Sequence, residues 1–124
     1  MVAIFLERLA RGEETVIYGD GSQSRDFVFV DDIVSAALSS VGRSGGPYNV
    51  GSGEATSIAD LHRACAAVAG STAEPRIAEA RLGDVHRSVL DVSLIGRELD
   101  WRPRVSLADG LARTWTWTQE ALAA

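Results

Sequence analysis

The β-forming stretches of this chain are too few and too short to build a self-contained sheet. Residues 15–18, 27–30 and 48–50 are apolar runs of only three or four residues, and Arg76–Ala78 is a weaker fourth. Strands in globular proteins usually have five or six residues, and an independently stable sheet needs at least three of them. Helical patterns separate the runs, which is typical of α/β proteins. We therefore predict an α/β fold, or α+β as an isolated piece, that belongs to a larger structure.

About five helices are predicted from apolar residues at helical spacing and from capping residues at the helix starts. Val2, Phe5, Leu6 and Leu9 share one face of a helix over residues 2–11, which Gly12 ends. This helix begins without a capping residue, as expected of a chain that continues from a preceding segment. The other predicted starts are Asp31, Ser57 with Asp60, Ser93, and Ser106 with Asp109.

Composition narrows the classes of partner. The 124 residues are 46% hydrophobic and 23% charged, which suits one globular domain. A net charge of -5 argues against a nucleic-acid partner, which requires a basic surface. No apolar run approaches the roughly 20 residues of a membrane span, and no signal peptide is visible. We expect a cytoplasmic protein with no membrane partner.

All twelve basic residues are arginine, so no lysine-dependent chemistry can reside in these 124 residues. A phosphate-binding P-loop and a Schiff base both need lysine. A Tyr-x-x-x-Lys redox pair is excluded as well, because Tyr18 and Tyr48 are followed four residues on by Ser22 and Ser52.

Two motifs match the letters of functional sequence patterns but lack the structural context that those patterns require. Gly51-Ser52-Gly53 with Thr56 lacks the third glycine of a dinucleotide fingerprint, which favours a plain turn. Residues 42–46 match G-x-S-x-G literally, but they follow a helix rather than a strand, and no histidine partner is evident. Both segments are interpreted as loops.

The single cysteine and the two histidines carry no predicted chemistry. Cys65 lies in an alanine-rich helical stretch and is interpreted as a small core residue, without a disulfide or metal-ligand spacing. His62 is predicted on a helix surface and His86 in a loop. Neither shows ligand spacing with a carboxylate, so no metal site is expected.

Arg25 is the first candidate for ligand binding. It follows a glycine-bearing turn and stands at the mouth of a strand, where a guanidinium can hold two phosphate oxygens. The sequence equally allows a surface ion pair with Asp20 or Asp26.

Arg81 and Asp84 form the second candidate, in a stretch predicted to be irregular or extended from Arg81 to Asp91. An arginine and an aspartate three residues apart suit a phosphate beside a sugar diol. A local ion pair that closes a turn is the alternative, and it is favoured when the segment is taken alone.

Together these segments are more specific, and the chain resembles the extended short-chain dehydrogenase/reductase family. The similarity runs from Met1 to about Gln119 and points to the NAD-dependent epimerases and dehydratases of the UDP-glucose 4-epimerase type. It rests on IYGDGSQSRDFVFVDD, PYNVGSGEATSI, RLGDVHRSVLD and LDWRPRVSLADGLARTWTW. Asp100 departs from the family, whose members usually have glycine before Trp101.

The resemblance implies roles for six residues. Arg25 and Arg81 would hold the diphosphate of a UDP-sugar, and Asp84 the ribose. Val16 and Tyr18 would flank the uracil through backbone and ring contacts. Ser88 falls where the family sets the size of the sugar pocket, and a small residue there is similar to members that accept N-acetylated sugars.

The resemblance also implies that residues 1–124 are the nucleotide-sugar-binding C-terminal region of an extended Rossmann-type enzyme. The family's glycine-rich NAD loop and Tyr-x-x-x-Lys pair lie upstream of such a segment. NAD would be the cofactor of the complete enzyme and would not bind here, so we expect the chain alone to be inactive. Its partner would be the missing Rossmann half or a second chain, with a homodimer as an open alternative.

Two other functions stay open at the level of sequence. One is a non-catalytic nucleotide-sugar-binding module or remnant. The other is a segment of a related dehydratase or decarboxylase that acts on nucleotide sugars. We also expect the isolated chain to expose apolar surface where the Rossmann half would pack.

Overall fold

The computed structural model describes residues 1–43 and 45–124, in which five helices surround two small sheets. The predicted number of helices and the short strands are confirmed. In chain order the elements are α1 (Val2–Ala10), β1 (Val16–Tyr18), β2 (Ser24–Arg25), α2 (Val30–Ser40), β3 (Thr56–Ser57), α3 (Ile58–Ala69), β4 (Arg76–Ala78), β5 (Arg87–Ser88), α4 (Ser93–Leu99) and α5 (Leu107–Ala123).

The two sheets bring distant segments together. β1 pairs with β4 in parallel, with Val16 opposite Arg76 and Tyr18 opposite Ala78. β2 is the middle strand of the second sheet, antiparallel to β3 and parallel to β5. In this second sheet Arg25 lies opposite Ser88. The predicted candidates from three separate parts of the chain therefore approach one another.

The main core lies between α1, α3, α5 and the inner face of β1. Phe5 and Leu6 of α1 are buried there, as the helical spacing predicted. Cys65 has no exposed surface, which confirms it as a core residue, and burial raises the pKa of its thiol to about 11. The buried members of this core are Phe5, Leu6, Ile17, Ile58, Leu61, Cys65 and Leu111.

A second, smaller core joins α2 to α4 and the segment that follows it. Ala36, Ile95 and Trp101 are buried together. The Trp101 indole Nε1 donates to the Ser35 Oγ at 2.7 Å, so the aromatic ring is both packed and hydrogen-bonded.

Two of the predicted helix caps are confirmed. The Ser57 and Ser106 hydroxyls accept hydrogen bonds from the backbone N–H groups of Asp60 and Asp109, three residues on. These bonds satisfy donors that have no partner inside the helix.

The other two predicted caps are wrong by one or two positions. Asp31 lies in the first turn of α2, whose N-cap is Phe29, and there a carboxylate still favours the helix N-terminus through its charge. Ser93 is the first residue of α4; its backbone N–H donates to the Asp91 carboxylate at 2.9 Å.

Two predicted strands are also wrong. Residues 27–29 of the run 27–30 connect β2 to α2, and Val30 is the first residue of that helix. The run therefore forms a connection and not a strand. Residues 48–50 form no strand in the described structure, because no described segment lies beside them as a ladder partner. Side-chain contacts hold that segment instead: the Tyr48 hydroxyl donates to the Glu98 carboxylate, and the Asn49 amide to the Asp91 carbonyl.

Residues 51–53 and the described residues of the 42–46 match lie outside helices and strands, as predicted, whereas Thr56 of the first motif begins β3. Gly42 follows α2 with φ of 74°, and Ser44 of the G-x-S-x-G match lies outside the described residues. Residues 51–53 form a turn that the Asp26 carboxylate holds. Within the described ranges, no helix is long and apolar enough to cross a membrane.

Candidate functional site

A cleft of about 470 Å³ lies between α1 and the free edge of β1. Apolar side chains of both elements and of α3 form its floor. Four of the six predicted ligand-binding residues, Val16, Tyr18, Arg81 and Asp84, line it. A mostly apolar cleft with a few convergent polar groups is the usual form of a small-molecule site.

The free edge of β1 turns backbone groups toward this cleft. The Arg76 N–H donates to the Thr15 carbonyl, and the Gly19 N–H to the Ala78 carbonyl, so residues 15 and 19 face β4. Because peptide groups alternate along a strand, those of Val16 and Tyr18 face the opposite, open edge. The edge therefore offers a row of backbone acceptors and donors beside the cleft.

Arg25 does not line the cleft itself but is joined to it by an ion pair with Asp84. Its Nη2 lies 2.7 Å from the Asp84 Oδ1, and its Nη1 donates to the Ser24 carbonyl at 2.8 Å. Neither Asp20 nor Asp26 pairs with Arg25, so the surface pairs that the sequence allowed do not form. Asp20 accepts from Ser22, and Asp26 accepts from the 52–53 turn.

The Arg81 guanidinium lies over the ring of Tyr18, with its carbon 3.8 Å from the ring centre. The Arg81 guanidinium beside it lowers the pKa of the Tyr18 phenol, because a nearby positive charge favours the phenolate. The Asp84 N–H donates to the Arg81 carbonyl at 3.2 Å and closes a turn in which Gly83 has φ of 81°. A turn from Arg81 to Asp84 thus forms through the backbone, while the Asp84 side chain pairs with Arg25 and not with Arg81.

Ser88 lies at the edge of this arrangement. It stands opposite Arg25 in the β2–β5 register and is exposed, but it does not line the cleft. The structure therefore places it beside the arginine rather than among the cleft residues, and its role at a sugar stays a prediction.

Sequence reasoning missed two polar residues of the cleft. Arg8 of α1 lines it and donates from its Nη1 to the Glu14 carbonyl at 2.7 Å. Gln23 is buried beside it, with 9% of its surface exposed. The position of Gln23 two residues before Arg25 is the only sequence signal that could have indicated it.

Asp26 ties the site to the rest of the fold. Its carboxylate accepts from the Ser52 N–H and hydroxyl, the Gly53 N–H and the Leu90 N–H. Partial burial acts to raise the pKa of Asp26, but these hydrogen bonds outweigh it, so the net shift is downward. One residue after Arg25, the chain is thereby bound both to the 52–53 turn and to the segment that follows Ser88.

The prediction for His62 is wrong. Its side chain is buried, lies 2.7 Å from the Thr15 Oγ1 through Nε2, and packs edge-on against Phe5. It belongs to the main core, where desolvation lowers the pKa of its imidazole. Among the described residues, no cluster of three or more histidine, cysteine or carboxylate side chains could hold a metal ion.

A second, wider groove of about 1010 Å³ runs between the 52–53 turn, residues 90–93 and α4. Arg97, Trp101 and Arg102 are among the residues that line it, but none of the predicted site residues does. We therefore place the candidate site in the smaller cleft, where Arg81, Asp84 and the strand edge meet and where Arg25 is joined through its ion pair with Asp84.

Comparison with known proteins gives consistent matches over nearly the whole chain. The family model described as GDP-mannose 4,6 dehydratase matches residues 1–114. A UDP-glucose 4-epimerase of Mycolicibacterium smegmatis is 47% identical over 116 residues, which are 92% of this chain and 37% of that protein.

Solved structures agree. The UDP-glucose 4-epimerase of Thermotoga maritima with UDP-glucose superposes with a TM-score of 0.94 at 39% identity, over 98% of this chain and 40% of that one. The Thermus thermophilus UDP-glucose 4-epimerase complex with NAD gives a TM-score of 0.87 at 34% identity, over 97% and 40%. The chain thus spans about 40% or less of the length of these relatives.

Proposed function

Because the chain belongs to the family of NAD-dependent nucleotide-sugar epimerases and dehydratases, we propose that it is the substrate-binding segment of a nucleotide-sugar 4-epimerase. Its task is to anchor the UDP moiety of a UDP-hexose or UDP-N-acetylhexosamine. The observation that carries this proposal is the convergence of Arg25, Arg81 and Asp84 beside the open edge of β1.

The base fits the strand edge. Uracil presents one N–H donor between two carbonyl acceptors. The Val16 carbonyl and the Tyr18 N–H on the open edge of β1 offer the complementary acceptor and donor. A base held there lies against the apolar floor of the cleft, where Ile4 and Phe5 of α1 exclude water.

The diphosphate and the ribose fit the charged groups. Arg25 and Arg81 supply planar guanidinium donors that match phosphate oxygens, although the chain as a whole carries a net charge of -5. Asp84 accepts from ribose hydroxyls. Its ion pair with Arg25 keeps the phosphate-binding and ribose-binding groups at a fixed distance.

NAD supplies the hydride chemistry in such an enzyme, and the relative from Thermus thermophilus is described in complex with it. Since this sequence has neither a complete dinucleotide fingerprint nor a lysine, we propose that the NAD-binding and proton-transfer residues lie outside the 124 residues. We expect the chain alone to bind UDP without turning over a UDP-sugar.

An exposed apolar stripe on α2 supports a partner for this chain. Val30, Ile33, Val34 and Leu38 recur at helical spacing and are each at least 40% exposed. We propose that the NAD-binding part, absent from these 124 residues but within the length of the relatives, covers this stripe.

The apolar stripe is tested by self-association of the chain. The double variant Val34→Gln, Leu38→Gln should reduce self-association in sedimentation velocity. The variant Leu82→Gln should not, because Leu82 is fully exposed on a loop away from the stripe. A wild-type chain that stays monomeric at high concentration would contradict the proposal.

UDP binding to the isolated chain tests the anchoring role. Arg25→Ala and Arg81→Ala should each weaken UDP in calorimetry by about tenfold to a hundredfold, since one charge-assisted hydrogen bond contributes about 1.5–3 kcal/mol. Arg63→Ala is the control, because Arg63 forms an exposed ion pair with Asp60 on α3. Equal affinity of all four proteins, or no binding by the wild type, would favour a remnant without a preserved site.

The matching family model favours a second candidate reaction, dehydration of the nucleotide sugar. The same anchoring residues would serve it, because both reactions hold the nucleotide and act on the sugar. Mixing the chain with its NAD-binding part and following a UDP-sugar by NMR separates an epimer from a dehydrated keto sugar.

A further inference from the structure

The side-chain amide of Gln23 is hydrogen-bonded through its nitrogen but not through its oxygen, among the described residues. Its Nε2 donates to the Tyr18 carbonyl at 3.0 Å, while its Oε1 is buried without a hydrogen-bond partner in the described structure. Exchanging the two ends would place Oε1 against the Tyr18 carbonyl oxygen, and two acceptors repel. The donor end is therefore the end that the fold uses.

Gln23 completes a clamp on the peptide between Tyr18 and Gly19. The carbonyl of this peptide accepts from Gln23, and its N–H donates to the Ala78 carbonyl of β4 at 2.9 Å. Gly19 makes room for the clamp: it has φ of 76°, and a Cβ there would lie 2.8 Å from the Gln23 Nε2. Both ends of the peptide are thus fixed at the rim of the cleft.

The clamped residue is the one on which Arg81 lies. The Tyr18 ring faces the guanidinium at 3.8 Å, an arrangement in which the π-face attracts the cation. Arg81 is exposed on a loop, so its contact with the Tyr18 ring restrains the position of its guanidinium. The orientation of the Tyr18 peptide therefore governs the position of that charge.

We propose that Gln23 is a positioning residue of the cleft, which fixes Tyr18 so that the Tyr18 ring holds Arg81 where the guanidinium meets the diphosphate. Only the last step, the contact with phosphate, rests on the proposed function. The connection from Gln23 through Tyr18 to Arg81 is a property of the chain itself.

Titration of Tyr18 tests this connection without any ligand. In a Tyr48→Phe background Tyr18 is the single tyrosine, and phenolate absorbance reports its pKa. Gln23→Met keeps the length of the side chain but cannot donate, so the Tyr18 pKa should rise toward its ordinary value of about 10. Arg81→Ala should raise the Tyr18 pKa further than Gln23→Met does, because Arg81 is the main cause of the lowering.

The control is Thr118→Val. This substitution removes a partly buried hydrogen bond on α5, whose residues do not line the cleft, and should leave the Tyr18 pKa unchanged whatever its effect on stability. If Gln23→Met leaves that pKa where it is while Arg81→Ala raises it, the positioning role is wrong. No rise in Arg81→Ala would also overturn it, because the stacked pair would then be absent.

Binding of UDP and of uridine tests the final step. Gln23→Met should weaken UDP about tenfold and uridine by a smaller factor, since uridine shares the contact of the base with Tyr18 but lacks the phosphates that Arg81 meets. In a Tyr18→Leu background the effect of Gln23→Met on UDP should disappear, because the intermediate ring is gone. Equal weakening of both ligands would show a purely structural role. If the wild type binds no UDP, the proposed function fails, while the titration still decides the role of Gln23.

Discussion

Arg25 and Asp84 are 59 positions apart in the sequence and form an ion pair of 2.7 Å. The pair joins β2 to the loop that follows β4. It thus connects the two small sheets at the mouth of the cleft. Each side chain keeps part of its surface in solvent, 25% for Arg25 and 36% for Asp84.

This partial exposure sets the expected contribution of the pair to stability. In a double-mutant cycle of Arg25→Ala and Asp84→Ala, we expect a coupling energy below about 1 kcal/mol in urea unfolding, because partly solvated pairs contribute little. The coupling should fall further at high salt. A coupling of several kcal/mol, insensitive to salt, would mean that the pair holds the fold rather than the ligand.

Much of this architecture could be predicted from local sequence signals. The α1 face, the capping of α3 and α5 and the positions of β1 and β4 follow from periodicity and from short-range hydrogen bonds. Residues 48–50 could not be predicted correctly, because strand propensity says nothing about whether a partner strand is present.

The residues of the candidate site could be proposed from the sequence, but their pairing could not. Arg25, Arg81 and Asp84 were indicated by residue type, and the fold brings them together. That Arg25 pairs with Asp84 and not with Asp20 or Asp26 depends on the β2–β5 pairing. His62 was misplaced because a helix position tells which residues share a face, not which face is buried. Its burial, its contact with Thr15 and its packing against Phe5 reveal that this histidine is in the core.

The buried His62 should make stability depend on pH in a defined direction. Desolvation lowers the pKa of His62 below its unfolded value of about 6.5, so the folded state binds fewer protons than the unfolded state below that pH. Stability should be fully present above about pH 6.5 and should fall as the pH drops from there toward the folded pKa. Urea unfolding at several pH values measures this loss.

The second histidine provides the matched control. His86→Ala should retain the pH dependence, because His86 lies in an exposed loop. His62→Phe should remove it, whatever its effect on stability at neutral pH. A loss of stability that follows His86 instead would contradict the assignment.

Asp26→Asn should destabilise the fold strongly, although Asp26 is only partly buried. The carboxylate accepts four hydrogen bonds, and an asparagine would turn an NH2 group toward some of those donors. We expect a loss of about 2–4 kcal/mol in urea unfolding. Asp20→Asn is the control, since Asp20 is exposed and, among the described residues, its carboxylate accepts from Ser22 alone.

The same carboxylate should contribute to the loss of stability in acid, the acid limb of a plot of unfolding free energy against pH. Because hydrogen bonding lowers the folded pKa of Asp26, its contribution is present above the unfolded value of about 3.9 and is lost as the pH falls through the folded pKa. Asp26→Asn should flatten this limb. An unchanged limb would assign it to other carboxylates.

Asp100→Gly should stabilise the chain. Among the described residues, Asp100 is the only one other than glycine with positive φ, at 51°, where it ends α4 in the left-handed region. A side chain there costs about 1–2 kcal/mol, and glycine avoids most of that cost. The free energy of unfolding should therefore rise by about 1 kcal/mol, seen as a higher Tm. Arg11→Gly is the matched control, because Arg11 ends α1 with φ of -86°; glycine there relieves no strain, adds entropy to the unfolded chain and removes the exposed ion pair with Glu7. Stabilisation by both substitutions, or by neither, would show that backbone strain at Asp100 is not the cause.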